Sequence, residues 1–200
     1  MQDGLIDESE ATLKKLVQVV AKVLVFPAAC LSAFGRWYQP YLFFAHTMAM
    51  MPGIVGSYLR VAYYSLTLEH IGPDCHIAFG TFIVYPKASL GPRVGMGAYC
   101  VLGQVDIGEG TLLASGVQVL SGTRQHKRDE RGWLSDEGRE FRRISIGPHC
   151  WIGSGAIIMA DIGEKVDIAP GSVVRNDLPS GASVAGNPAR NFATVVKPAS

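Results

Sequence analysis

The chain has 200 residues, 48% of them hydrophobic, and a formal net charge of +1. This length fits one domain, or one domain with a helical attachment, and the apolar content is ample for a core. A charge this close to zero excludes a global basic field for nucleic acid, so no nucleic-acid partner is expected. The 23 glycines favour a fold with many corners over a helical one.

The first elements are predicted helices. Residues 7–26 have the spacing of an amphipathic helix, with Asp7 at its start and Pro27 at its end. One face carries the apolar side chains Leu13, Leu16, Val17, Val20, Val23 and Leu24. Lysines border that face. The apolar face would pack on the rest of the chain, on a neighbouring subunit, or on a membrane surface, and the sequence leaves these alternatives open.

Residues 37–59 contain no Asp, Glu, Lys or Arg, but Pro40, Pro52 and nearby glycines interrupt them, which argues against a membrane span. Interfacial membrane contact and packing within an oligomer are the remaining interpretations. Residues 57–69 form a short predicted helix that would cap the end of the following repeats. The acidic N-terminus does not resemble a signal peptide. We therefore expect a cytoplasmic chain, with peripheral membrane contact through residues 7–59 as one alternative.

A six-residue rhythm begins at residue 71. Its aliphatic positions are Ile71, Ile77, Ile83, Ile107, Leu113, Ile146, Ile152, Ile158, Ile162, Ile168 and Val174. Six residues fit one flat side of a coil, so three sides give a coil of about eighteen residues in a parallel β-helix. Two irregularities stand out: Ile158 to Ile162 is two residues short, and Lys87–Gln104 drifts from the phase. An ordinary β-sandwich is the alternative.

The cysteines point to core filling. Cys75, Cys100 and Cys150 each precede a repeat position by two residues, where a small buried thiol suits an inward slot. No pair has the spacing of a zinc or redox motif.

Several motifs together resemble one enzyme family. They are the repeats, the histidine-bearing loop, Trp151-Ile152-Gly153-Ser154, and the ending Val184-Ala185-Gly186-Asn187-Pro188-Ala189-Arg190. The sequence resembles the hexapeptide-repeat acyltransferases, in particular the galactoside, maltose, nodulation-factor and polysaccharide O-acetyltransferases. The resemblance implies a mainly β fold, a left-handed parallel β-helix, with an N-terminal α-helical extension. The expected organisation is an extension over residues 1–70, the β-helix over 71–190 with a loop at 124–143, and a tail over 191–200.

The loop is the candidate catalytic segment. Of its twenty residues, seven are Lys or Arg and five are Asp or Glu, so it lies outside the core. The resemblance implies that His126 is the general base for an attacking hydroxyl. Glu140 or Glu137 would orient the imidazole, although a salt bridge to a nearby arginine is an equal alternative for each.

The resemblance also implies a coenzyme A groove. Trp151 would line the acyl and pantetheine channel, with a packed corner tryptophan as the alternative. The corners at Ser154 and Pro170 would offer backbone contacts, among them an oxyanion donor, although Pro170 itself has no N–H. Arg175 and Arg190 would bind the phosphates, with solvent exposure as the alternative.

The functional prediction is an O-acyltransferase that uses acetyl-CoA, or another acyl-CoA, as co-substrate. Its acceptor would be a hydroxyl of a sugar, a glycan precursor or a lipid-linked glycan. The resemblance implies a homotrimer with active sites between subunits, and the chemistry requires no metal. A zinc enzyme of the γ-class carbonic anhydrase type is a second hypothesis, but the five histidines lack close ligand spacing. A non-catalytic β-helix scaffold is a third.

Overall fold

The computed structural model describes residues 2–121, 127–135 and 141–192, without the side chains of residues 2–11 and 127. Three helices come first: α1 (Gln2–Leu31), α2 (Tyr38–Ala49) and α3 (Gly53–Thr67). Nine short strands follow: β1 (His70–Ile71), β2 (His76–Ile77), β3 (Phe82–Ile83), β4 (Ser89–Leu90), β5 (Gly95–Met96), β6 (Val101–Leu102), β7 (Val105–Ile107), β8 (Leu112–Leu113) and β9 (Gln118–Val119). The remaining strands are β10 (Lys127–Arg128), β11 (Leu134–Ser135), β12 (Ile144–Ile146), β13 (Trp151–Ile152), β14 (Ile157–Ile158), β15 (Asp167–Ile168), β16 (Val173–Val174), β17 (Ser183–Ala185) and β18 (Arg190–Asn191).

Three parallel sheets form the faces of a solenoid. Face one has the order β1-β4-β7-β12, and isolated bridges extend it through Ile162 and Leu178. Face two has the order β2-β5-β8-β13-β15-β17, and β18 turns back antiparallel on β17. Face three has the order β3-β6-β9-β14-β16. Because consecutive strands go to different faces, the chain winds through roughly five turns. The prediction of a β solenoid with a helical extension is confirmed.

The aliphatic repeat builds the core, and the predicted phase drift at Lys87–Gln104 is present as a shift of one residue: Leu90 follows Ile83 by seven residues, and Ile107 follows Leu102 by five. Leu90, Met96 and Leu102 stand in register with the three isoleucines of the first coil. All three side chains are buried. Within this coil the six-residue spacing is kept, and the residue types change from Ile to Leu and Met. A side chain of similar volume fills the same inward position.

The coils are not uniformly eighteen residues long, as the repeat predicted. Along face two, Ile77 pairs with Met96, a step of 19 residues, and Met96 pairs with Leu113, a step of 17. The step from Ile152 to Ile168 is 16 residues. The corner between faces three and one changes length, while the six-residue spacing across the other two corners is preserved.

Small or β-branched residues occupy the second inward position of the sides, and some of them are polar. The Thr111 hydroxyl donates to Gly147 O at 2.8 Å and accepts from Cys150 N at 3.0 Å, so it bridges two coils. Cys100 and Cys150 are buried and Cys75 is half-buried. Burial raises the pKa of all three thiols, which keeps them protonated. The prediction that these cysteines fill the core is confirmed.

Helix α1 differs from its prediction in length and in the face that it buries. It begins at Gln2 and continues past Pro27 to Leu31. Ala21, Val25, Ala28 and Ala29 are its buried side chains, and α1 packs mainly against α3. Small alanines allow a close approach between the two helices, and this packing holds the turn after Pro27 in place. The predicted apolar face does not pack on this solenoid.

The prediction that the third helix caps the solenoid is confirmed. The Ile83 N–H donates to the Tyr64 hydroxyl at 2.9 Å, and the Tyr41 hydroxyl donates to Ile83 O at 2.9 Å. The buried Arg60 guanidinium donates to Ile77 O at 2.9 Å. These side chains satisfy polar groups that the first coil would otherwise leave unpaired at its open edge.

The uncharged stretch at residues 37–59 is divided between α2 and the start of α3, with a break at Met50–Pro52. Among the helices that the structure describes, none is both long and apolar enough to cross a bilayer.

Candidate active site

The charged loop at residues 124–143 leaves and rejoins the solenoid at one point, the corner between faces three and one. Arg142 N donates to Ser121 O at 3.0 Å, so the two ends of the excursion are hydrogen-bonded. The buried Ser121 hydroxyl accepts from Gln104 N at 2.9 Å, and Ile144 N donates to Gln104 O at 3.0 Å. The preceding coil therefore holds both ends of the loop in fixed positions.

Two arginines clamp the returning strand of the loop. Arg142 pairs with Asp161, and its Nη2 lies 3.5 Å from an Asp177 oxygen. Arg143 pairs with Asp106 and donates to Glu69 at 2.7 Å. The hydrogen bond that Arg143 donates to Asp106 raises the pKa of Arg143. These pairs tie the end of the loop to coils on both sides of it.

An aromatic stack adds to this anchor. The Phe141 ring lies 5.6 Å from the Tyr85 ring, and Tyr85 lies 5.7 Å from Tyr38 at the start of α2. The stack connects the end of the loop to the helical extension. Ring pairs at these distances add packing energy to their area burial.

The central part of the loop forms a hairpin that the sequence interpretation did not predict. Strands β10 and β11 pair antiparallel, and Asp129 accepts from the N–H groups of Arg131 and Trp133, both at 2.9 Å. An aspartate that accepts from backbone groups a few residues ahead is a common turn signal. Trp133 and Leu134 are exposed on the hairpin.

The three predicted catalytic residues, His126, Glu137 and Glu140, lie outside the described residues. In sequence, His126 directly precedes β10, and the two glutamates follow β11. Their roles stay predictions.

Trp151 lies on face two with its side chain partly in solvent. It is 45% exposed, and its register partners on the neighbouring strands are Leu112 and Asp167. Leu112 is also exposed. The two side chains form an apolar surface on the outside of the sheet, beside the Ser154 corner. The packed-corner alternative does not describe this tryptophan.

Ser154 and Pro170 lie on adjacent corners, stacked one above the other. Gly171 N donates to Ser154 O at 2.8 Å, and Gly155 N donates to Ser115 O at 3.0 Å, so three successive corners form a column. A side chain at Gly153 would overlap Pro170, which explains the glycine there. Within the described part of the chain, the Ser154 N–H has no acceptor. It is a free donor at an exposed corner.

Arg175 and Arg190 both lie in the last turns of the solenoid. Ala189 N donates to Val173 O at 2.8 Å, and each arginine is within two residues of that bond. Both side chains are exposed, and Arg190 Nη1 donates only to the neighbouring Ala189 O, at 2.9 Å. Exposed guanidinium groups in this position can donate hydrogen bonds to a phosphate.

The histidines that the structure describes are scattered. His46 packs edge-on against Phe82, and His76 Nδ1 lies 3.1 Å from the Ser57 hydroxyl. Among the described residues, no three His, Cys, Asp or Glu side chains are placed to hold a metal ion. The zinc-enzyme alternative gains no support from this part of the chain.

Two solved structures share this fold. A hexapeptide-repeat acetyltransferase from Vibrio cholerae is 19% identical, with a TM-score of 0.65, over 82% of this chain and 91% of its own. A galactoside acetyltransferase in complex with coenzyme A is also 19% identical, with a TM-score of 0.66, over 79% of this chain and 82% of its own. At this identity the likeness shows the fold alone.

Sequence relatives show more than the fold. Nodulation protein L of Rhizobium meliloti strain 1021 is 37% identical over 60% of this chain and 64% of that protein. Nodulation protein L of Rhizobium leguminosarum biovar viciae is 37% identical over 62% of this chain and 69% of that protein. The chain belongs to the hexapeptide-repeat acyltransferase family. No protein-family model matches it, and it spans just under two thirds of the length of the Rhizobium meliloti relative.

The sequence interpretation of this hexapeptide-repeat acyltransferase missed the residues that anchor the charged loop. Arg142 and Arg143 were counted only as part of a charged loop, and their partners Asp161 and Asp106 were not considered. One signal was available, because Asp161 and Asp177 are 16 residues apart and Asp161 N donates to Asp177 Oδ1 at 2.9 Å. A spacing of one coil places two aspartates on the same corner.

Proposed function

We propose that this chain transfers an acetyl group from acetyl-CoA to a hydroxyl of a sugar, a glycan precursor or a lipid-linked glycan. The observation that carries the proposal is the 37% identity of this chain to nodulation protein L. The chain combines that identity with a β solenoid that carries the charged loop at residues 124–143. A structural neighbour of the same fold is a galactoside acetyltransferase with coenzyme A bound. The working form would be a homotrimer at the inner face of the membrane, with each site between two subunits.

In the proposed reaction, His126 accepts the proton of the acceptor hydroxyl as its oxygen attacks the thioester carbonyl carbon. The Ser154 N–H is the candidate donor to the oxygen of the tetrahedral intermediate. The C–S bond then breaks, and the imidazolium gives its proton to the departing thiolate. Glu137 or Glu140 would hold the ring, Trp151 would line the thioester arm with the Pro170 corner, and Arg175 and Arg190 would bind the phosphates.

The test is acetyl-CoA consumption by the wild type and by His126→Ala, with a panel of sugars, nucleotide sugars and lipid-linked glycans. Loss of the base should lower the rate at least ~100-fold. His70→Ala is the matched control, because His70 is an exposed histidine on the first coil, and it should keep the wild-type rate. Glu137→Gln and Glu140→Gln identify the orienting carboxylate. The variant that loses it should have a lower kcat and a nearly unchanged KM. A fully active His126→Ala variant would overturn the mechanism.

A further inference from the structure

The outward side of α1 is an apolar surface that the described residues leave largely exposed. Six of its side chains, Leu13, Leu16, Val20, Val23, Leu24 and Phe26, are between 51% and 68% exposed. Viewed down the helix axis at about 100° per residue, these side chains span an arc of about 160°, with Phe26 at one edge and Leu24 at the other. No charged residue falls within that arc over residues 13–31. Lys15 and Lys22 lie along one border of it.

This surface differs from the outside of the solenoid. Large exposed apolar side chains on the described coils are few, and Leu112 and Trp151 form an adjacent pair of them on face two. On α1 they are contiguous over about four turns of helix. Contiguous apolar surfaces of this extent on a folded chain mark a contact with another molecule or with a membrane.

The charges around α1 identify the chemistry of the partner. Residues 11–68 contain five basic residues, Lys14, Lys15, Lys22, Arg36 and Arg60, and no acidic residue. Arg60 is buried, and the other four are exposed. Residues 69–200, by contrast, carry thirteen basic and thirteen acidic residues. The first turns of α1 itself carry four acidic residues at positions 3–10, so the basic charge of the helix belongs to its part from Lys14 onward.

A second copy of the chain fits this surface less well than a lipid surface does. A symmetric contact between two α1 faces would bring the lysine borders of both copies together, and like charges repel. An anionic bilayer instead offers hydrocarbon for the apolar arc and phosphates for the lysines. The charge pattern is therefore complementary to a membrane.

We propose that the outward face of α1 docks on an anionic lipid bilayer, with the helix lying in the plane of the headgroups and Lys15 and Lys22 directed to the phosphates. This deepens the membrane location within the proposed function, but it depends on lipid binding and on no step of the chemistry. The docked chain would meet an acceptor that is itself anchored in the bilayer.

The test is co-sedimentation of the full chain with vesicles of phosphatidylcholine containing phosphatidylglycerol, and with vesicles of phosphatidylcholine alone. The wild type should bind the anionic vesicles, and salt should weaken the binding. Leu16→Ser with Val23→Ser, which replaces two exposed apolar side chains, should weaken binding at least about tenfold. Leu134→Ser is the matched control, because Leu134 is 68% exposed on the hairpin, and it should bind as the wild type does.

Three results would overturn the docking surface. The wild type could fail to sediment with anionic vesicles, or it could bind both kinds of vesicle equally. The double variant could also change the mass of the assembly without lipid, which would assign this face to a contact between copies. Acetyl-CoA consumption with a water-soluble acceptor is measured on the same samples. If the chain binds anionic vesicles but does not consume acetyl-CoA, the proposed function is contradicted and the docking surface is still supported.

Discussion

The solenoid and the helical extension pair their buried polar groups in different ways. In the solenoid the main chain of each coil bonds to the next, as when Gly153 N donates to Ile168 O at 2.8 Å, and most inward side chains are apolar and fill the interior. In the extension, side chains such as Arg60 and Tyr64 bond directly to the main chain of the first coil. A mutation in a coil therefore leaves a cavity, whereas a mutation in the cap leaves several polar groups unpaired.

Arg60→Met should have the largest effect on stability. The Arg60 guanidinium donates to Ile77 O at 2.9 Å, Met51 O at 2.8 Å and Met48 O at 3.0 Å. Its loss leaves Ile77 O and Met51 O without this donor, whereas Met48 O keeps the bond from Met51 N. At about 1–3 kcal/mol for each unpaired acceptor, the free energy of unfolding should fall by about 4 kcal/mol. Urea unfolding followed by circular dichroism measures the change.

The control for Arg60 is Arg93→Met, which breaks an exposed ion pair with Glu109. An exposed pair contributes at most about 1 kcal/mol, so this variant should unfold close to the wild type. Equal losses from the two variants would show that the cap does not depend on the buried guanidinium.

Ile152→Ala tests the solenoid side of the comparison. Ile152 is fully buried between Leu113 and Ile168 on face two, and the truncation opens a cavity. Because the substitution leaves no polar group unpaired, only the cavity contributes, and the free energy of unfolding should fall by about 3 kcal/mol. Leu112→Ala, on the same face but 52% exposed, should cost less than about 0.5 kcal/mol. The prediction is wrong if Leu112→Ala destabilises the protein as much as Ile152→Ala does.

The same difference explains how much of the molecule its sequence predicts. The solenoid was predictable because the six-residue spacing recurs across two of its three corners, whereas Ser154 and Pro170 were candidate site residues only through the family resemblance. The cap was not, because Arg60 appears only once and its acceptors are main-chain carbonyls. Periodicity found the apolar arc of α1 correctly. It could not show that the alanine side, at Ala21 and Ala28, would be the one that packs inward.

The candidate site divides in a similar way. The corners that carry Ser154 and Pro170 could be located from the repeat, since the six-residue spacing across them is preserved. The ion pairs of Arg142 could not, because Asp161 lies in the corner whose length changes from coil to coil. The 16-residue spacing groups Asp161 with Asp177, but their pairing with Arg142 depends on the folded path of the chain.

The smallest predicted effect is a pH dependence within the cap. Tyr63 is fully buried, and burial raises the pKa of its phenol to about 12. An unfolded chain ionises this phenol near pH 10, whereas the folded chain keeps it neutral. The stabilisation is therefore complete below pH 10 and is lost as the pH rises toward 12, because the unfolded chain then binds fewer protons.

Tyr63→Phe removes that titration together with the hydrogen bond to Tyr41 O, which is 3.0 Å long. At neutral pH the variant should be less stable by about 1 kcal/mol, and the gap should narrow as the pH rises from 10 toward 12. Thr67→Val is the control, since it removes the buried hydrogen bond to Tyr63 O in the same helix without a titrating group. Its gap should stay constant, and urea midpoints across this pH range compare the two variants. Parallel curves for both would mean that the Tyr63 phenol ionises as readily in the cap as in the unfolded chain.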